Sequence, residues 1–320
     1  VSGFAQLGLL VWGVWRVGLG FRFALPKLTP QVKALLVLMG PTLLTGGVLQ
    51  INLLIGTIIA TAQDGANALL NFADRLNQLP LGVIGIAVGV VLLPELSRAL
   101  QAKNHAEAER LQNRSLEFAL AFSLPAAVGF IVMPEELIRL VYERGAFDET
   151  ATEQTAAALM AFATGLPAYV LMKVFQPAFF AREDMRTPFW FSCIMVAVNV
   201  GLSLALFPTL GHVGIAVATS VSAWVNLALL AATQWRRGDF RPDGQTLRRV
   251  GLLVVSSLLM GGAIVVLRWA FDPVLNSGSI GLFIAVPTMV GLGAAVHFGV
   301  ALVTGALDRS LVNRLLRRSS

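Results

Sequence analysis

The sequence predicts an all-α polytopic membrane protein, and three observations carry that prediction. Of 320 residues, 56% are hydrophobic and only 13% charged, where soluble domains carry about 25% charged residues. The mean hydropathy is +0.74. Nine separate apolar runs reach the roughly 20 residues that cross a bilayer as a helix. A net charge of +6 would point a soluble chain toward nucleic acid. Here the placement of the cations accounts for it, and no nucleic-acid partner is expected. The single Cys193 excludes an intrachain disulfide and reads as a small buried hydrophobe.

The spans are expected near 3–20, 34–62, 67–94, 116–133, 155–181, 188–207, 212–234, 250–271 and 279–306. Connections are short and none could hold a soluble domain. The longest, Glu95 to Ser115, reads as a solvated polar loop, and an acidic connection runs from Pro134 to Glu153. With connections assigned alternately to two sides, eighteen Lys and Arg fall on one side and three, Arg139, Arg144 and Arg268, on the other. The positive-inside rule makes the first side cytoplasmic and places the C-terminus there. Val1 then falls outside, with no signal-peptide pattern, so the sequence reads as lacking its N-terminal part.

Three cations remain inside spans: Arg16, Arg75 and Lys173. Arg16 lies near the cytoplasmic end and is expected to snorkel. Arg75, with Asp74 before it, lies about 13 Å below the start of the third span near Ala66, too deep for easy contact with bulk water. Adjacent helix residues point about 100° apart, so at least one of the two needs another partner. Arg75 and Asp74 either lock helices together or line a wet cavity. In a cavity, the planar guanidinium fork suits phosphate. Pro80 removes a backbone donor nearby, and Gly82 and Gly85 offer close approach and bending. Lys173 either snorkels or serves a gate or cavity. Pro177 after it and Pro41 in the second span are further hinge candidates.

Gln50 and Asn52 precede the Arg75 helix and join it as candidate cavity groups, while Asn199, Ser203, Thr219 and Ser220 read as interhelical glue. Chemistry-bearing motifs are absent. His105, His212 and His297 show no metal-ligand spacing, and there is no Walker loop, nucleophile elbow or paired intramembrane carboxylate. No catalytic residue, metal or cofactor is predicted, and an enzyme is not expected.

The segments ADRLNQLPLGVIGIAVGVVLLPELSR, VYERGAF, GLPAYVLMKVFQPAFFAREDMRTP and VNVGLSLALF, in this order and spacing, resemble the MurJ (MviN) family of lipid II flippases. That family belongs to the multidrug/oligosaccharidyl-lipid/polysaccharide exporter superfamily. The resemblance implies helices six to fourteen of a fourteen-helix, two-lobe protein. Residues 1–33 would be the last helix of the N-terminal lobe and a linker, 34–249 the six-helix C-terminal lobe, and 250–320 two additional helices and a basic tail. It further implies alternating access in the bacterial inner membrane, moving the undecaprenyl-diphosphate-linked disaccharide pentapeptide, lipid II. Membrane lipid and cell-wall synthesis proteins are the other implied partners. The family's cavity arginine matches Arg75, and a groove for the lipid tail would lie between 250–271 and 279–307. Carboxylates that hold sodium in some members fall here on Gly56 and Ser203, so no sodium site is expected. A cation-coupled drug exporter and a non-transporting scaffold are the competing readings. The first should place acids, not Arg75, in its cavity.

Overall fold

The computed structural model describes residues 2–16, 47 and 50–307. Pro41 and the basic residues of 17–46 and 308–320 lie outside these. Two units separate at residues 42 and 43. In the first, α1 is Ser2–Arg16. Arg16 folds over the Trp12 ring, 5.1 Å from its centroid, as an amphipathic cation near a helix end does.

The second unit contains α2 (Gln50–Ala60), α3 (Ala66–Gln101), α4 (His105–Val132), α5 (Pro134–Tyr142), α6 (Glu149–Phe180), α7 (Arg186–Leu210), α8 (His212–Arg237), α9 (Gly244–Leu275) and α10 (Ser279–Val303). Six of the described helices, α4 and α6 to α10, are long and apolar enough to cross a membrane. α3, at 36 residues, is also longer than a bilayer needs. α6 is the hub and packs against α3, α4, α5 and α8. α7 packs on α8, and the α9–α10 pair packs on α4 and α5. Small residues set the closest crossings. A Cβ on Gly165 would meet Ser220 Cα at 2.8 Å, and one on Gly293 would meet Ile264 at 3.0 Å, the close backbone approach expected in lipid. Large apolar side chains such as Trp190, Leu258, Val266, Trp269 and Phe283 stay exposed, the surface that hydrocarbon solvates.

Two expectations change. The polar stretch after Glu95 is helical: α3 runs to Gln101 and α4 starts at His105, leaving Ala102–Asn104 as the turn. Asn104 caps the Glu107 amide at 3.1 Å, and Glu107 pairs with Arg110 three residues on, so local polar contacts extend both helices past the apolar run. The acidic connection contains α5, started by Pro134 at its first turn with Glu135 and Glu136 beside it. Its amphipathic nine residues are too short for a window tuned to membrane spans.

The alternate connections gather at opposite ends. At one end, Arg237 pairs with Asp184 at 2.7 Å, Arg182 with Asp239 at 3.4 Å and Arg249 with Glu117 at 2.9 Å. At this basic end burial raises Asp184, but hydrogen bonds from Arg237 and Thr187 outweigh it and hold the carboxyl below its ordinary value. The Thr246 amide likewise holds the Asp243 cap low. At the other end Arg268 contacts Glu135 and Glu136. There His212 is buried: its backbone N–H donates to Gln63 Oε1 at 2.9 Å, and its ring meets Gln63 Nε2 at 3.2 Å and the Gln154 carbonyl at 3.0 Å. Since Gln63 Nε2 donates to Nδ1, Nε2 must carry the ring proton toward Gln154.

Candidate functional site

On α3, residues Asn67, Asn71, Asp74, Gln78, Gly82 and Gly85 fall within an arc of about 80° at 100° per residue, with Arg75 at its edge. Polar groups fill the first half of this face and glycines the second. The Asn71 amide donates to the Asn67 carbonyl at 2.7 Å, and Asn67 reaches the Thr57 carbonyl of α2 at 3.4 Å. The Gln78 amide donates to the Asp74 carboxylate. Arg75 is exposed, and among the described residues no acid lies within ion-pair distance of it. The expected division of partners therefore takes a definite form, with the acid bound by an amide and the guanidinium open.

The remaining candidates separate by depth. Counting from the Asn67–Thr57 contact, Gln50 and Asp74 each lie seven residues away, about 10 Å along their own helices. Gln50 is exposed, and the half-buried Asn52 has a buried Oδ1 without a hydrogen-bond partner among the described residues. Lys173 sits farther on: its Cγ would lie 3.6 Å from a Cβ on Gly85, ten residues or about 15 Å along α3 from Arg75. A side chain at Gly85 would make ordinary van der Waals contact with the lysine stem, while Gly82 has open space around it. α3 and α6 run on unbroken through Pro80 and Pro177, so neither ends a helix. Each does delete a donor, Pro80 to the Leu76 carbonyl and Pro177 to the Lys173 carbonyl. One turn before Lys173, Tyr169 Oη donates to the Thr219 carbonyl at 3.4 Å, and farther along α6 the Thr164 carbonyl accepts from Trp224 Nε1 at 2.9 Å.

Asn67, Asn71 and Gln78 were not singled out from sequence. Their signal was a polar pattern repeating at seven residues, 67 with 74 and 71 with 78.

A sodium site does not fit the residues present. Gly56 offers no side-chain ligand, and Ser203 supplies only a buried hydroxyl without a hydrogen-bond partner among the described residues. The Asn199 amide already donates to Thr219 at 3.1 Å and Ser222 at 3.4 Å. Without a carboxylate, this set lacks the anionic oxygens a bound cation wants. Among the described residues there is also no His, Cys, Asp and Glu cluster able to hold a metal ion.

Solved structures of membrane proteins share this helical fold. A MATE P26A mutant aligns with 86% of this chain and 65% of its own at TM-score 0.56 and 18% identity, which shows the fold alone. The structure of lipid II flippase MurJ in an inward closed conformation aligns at TM-score 0.68 and 25% identity, over 86% of this chain and 56% of that one. The model of the family described as lipid II flippase MurJ matches residues 1–285. Probable lipid II flippases MurJ from Rhizobium tropici and Rhizobium meliloti (strain 1021) are 45% and 46% identical over 99% and 100% of this chain. The chain belongs to the MurJ family. It spans 60% of the length of these two relatives.

Proposed function

We propose that this chain supplies one lobe and the additional helices of a flippase that moves lipid II across the bacterial inner membrane by alternating access. Residues 34–249 form the lobe, 250–320 the added helices with a cytoplasmic basic tail, and 1–33 the end of a preceding lobe with its linker. The carrying observation is Arg75: an exposed guanidinium at the edge of the polar face of α3, with its neighbouring acid occupied by Gln78. Such a group is expensive in lipid unless an anion or water meets it. Its fork matches the diphosphate of the lipid carrier. Asp74, Gln50 and Asn52 offer acceptors and amides to the sugar and peptide, and Lys173 adds a second cation nearer the basic end. An apolar cleft lined by Ala263, Val266, Leu267, Leu292, Ala295 and Val296 suits the polyprenyl tail. The cycle needs no bond-making residue, in keeping with a transporter that is not an enzyme. A drug exporter for cations is disfavoured by the same arginine.

The test separates binding from folding. In the full-length protein, Arg75→Ala should accumulate in the membrane at near-normal abundance yet neither bind lipid II nor support growth of cells depleted of their own flippase. Arg75→Lys should retain part of the activity, since a point charge still attracts phosphate. Loss of folded protein in parallel with function would instead assign Arg75 to helix locking.

A further inference from the structure

We infer that Gln78 is a positioning residue: its amide holds the Asp74 carboxylate away from Arg75 and so keeps the guanidinium open to a diphosphate. The inference rests on the reading of Arg75 given above. It starts from geometry. Gln78 lies four residues after Asp74 and three after Arg75, so it borders both on the helix surface. Its amide donates to the Asp74 carboxylate, and no other side chain among the described residues hydrogen-bonds that carboxylate. Arg75, the adjacent residue, has no acid at ion-pair distance among the described residues.

The chemistry of the residue at 78 decides the outcome. A carboxylate stripped of its donor seeks the nearest cation, and in a site of reduced dielectric that attraction is strong. Arginine is the best available partner, because a carboxylate fills the same fork that a phosphate would. Although neighbouring helix residues diverge by about 100°, the long arginine stem can fold back. An anion already in the fork must then be displaced before substrate binds. A glutamine at 78 removes the competitor without adding charge. Lysine or arginine would also hold Asp74 but would attract the substrate themselves, and an apolar residue would leave Asp74 free to close on Arg75.

The experiment uses the purified full-length protein and a short-chain polyprenyl diphosphate without sugar, so that contacts of Asp74 with the saccharide do not enter. Binding is measured for Gln78→Leu alone, for Gln78→Leu in an Asp74→Asn background, for that background itself and for Arg75→Ala. We expect Gln78→Leu to weaken binding about tenfold when Asp74 is present, the scale of one charge-assisted contact. In the Asp74→Asn background the same substitution should cost less than about twofold, because the competing anion is gone. Such rescue would not follow if Gln78 only supported the fold. An equal loss in both backgrounds would mean that Gln78 touches the ligand or holds the helix, and would overturn the inference. Unchanged binding by Gln78→Leu, with Arg75→Ala defective, would overturn it while leaving the Arg75 reading intact. Normal binding by Arg75→Ala would overturn both.

Discussion

Two prolines show how differently this molecule treats the same defect. Pro125 in α4 deletes the donor to the Ala121 carbonyl. His297 of α10 replaces it, with Nε2 3.0 Å from that oxygen. The rest of the cluster closes without remainder: Ser257 donates to the Leu253 carbonyl at 2.8 Å, and Ser256 lies 3.0 Å from His297 Nδ1. Two hydroxyl protons thus serve two acceptors, and the fully buried imidazole needs no charge. Pro177 in α6 deletes the donor to the Lys173 carbonyl, and no side chain among the described residues hydrogen-bonds to it. The first region joins α9–α10 to the lobe and replaces the donor its proline deletes. The second lies on the side of Lys173 and Gly85, where polar groups are kept available. Within a bilayer an unanswered polar group is costly.

This contrast gives opposite signatures for two substitutions. Arg75→Ala should remove binding and leave abundance, as argued above. His297→Ala should do the reverse. It strands the Ala121 carbonyl and opens a cavity, which together should cost about 3 kcal/mol. The thermal midpoint in detergent and the membrane abundance should both fall, while lipid binding per folded molecule stays near normal. A His297→Ala protein that keeps its midpoint but loses transport would erase the distinction between the two regions.

Much of this was legible in the sequence, but unevenly. Hydropathy located the long helices because a bilayer imposes one length on all of them. The Lys and Arg asymmetry separated the ends, and depth alone made Arg75 conspicuous. Partners across helices were less visible. Nothing in the sequence near His297 names Ala121, 176 residues away, because that contact depends on how α10 is rotated against α4. The same limit hid the Gln63–His212 contact. Asn67, Asn71 and Gln78 were hidden for another reason: averaging over a span dilutes a one-sided polar stripe, although its seven-residue repeat was there to be read. α5 was missed because its amphipathic length is set by an interface and not by the membrane.

Outside the membrane-spanning segments, where water competes, a satisfied contact should be worth less. Asp184 at the basic end is the case to measure, since Arg237 and Thr187 both bind its carboxylate, at 2.7 Å each. Asp184→Asn should destabilise by about 1 kcal/mol or less, the range of partly exposed ion pairs. The pH dependence has a fixed sign. The folded-state value is depressed, so the contribution is fully present above the unfolded carboxylate value of about 4 and lost as pH falls through the lower folded value. The difference in midpoint between parent and Asp184→Asn should persist at pH 7 and shrink progressively as pH falls below the unfolded carboxylate value of about 4. A gap that widens on acidification would mean that Asp184 is not the group being titrated.

The smallest expected effect is none at all, and it bears on the α7–α8 seam. There Asn199 donates to Thr219 and Ser222, and Thr219 Oγ1 donates to the Ile215 carbonyl at 2.8 Å. A sodium ion would have to break these bonds and still find anionic oxygen, which neither Gly56 nor Ser203 provides. If the seam is glue, transport by the full-length protein should be insensitive to replacing sodium with another monovalent cation at constant membrane potential. A flux assay in vesicles with the potential clamped by a potassium gradient and ionophore measures this directly. Equal rates in sodium and choline would leave the seam as interhelical glue, apart from the Arg75 face. A steep sodium dependence would move it to the side of Arg75, and the hydrogen bonds now joining α7 to α8 would then describe the ion-free state of a coupling site.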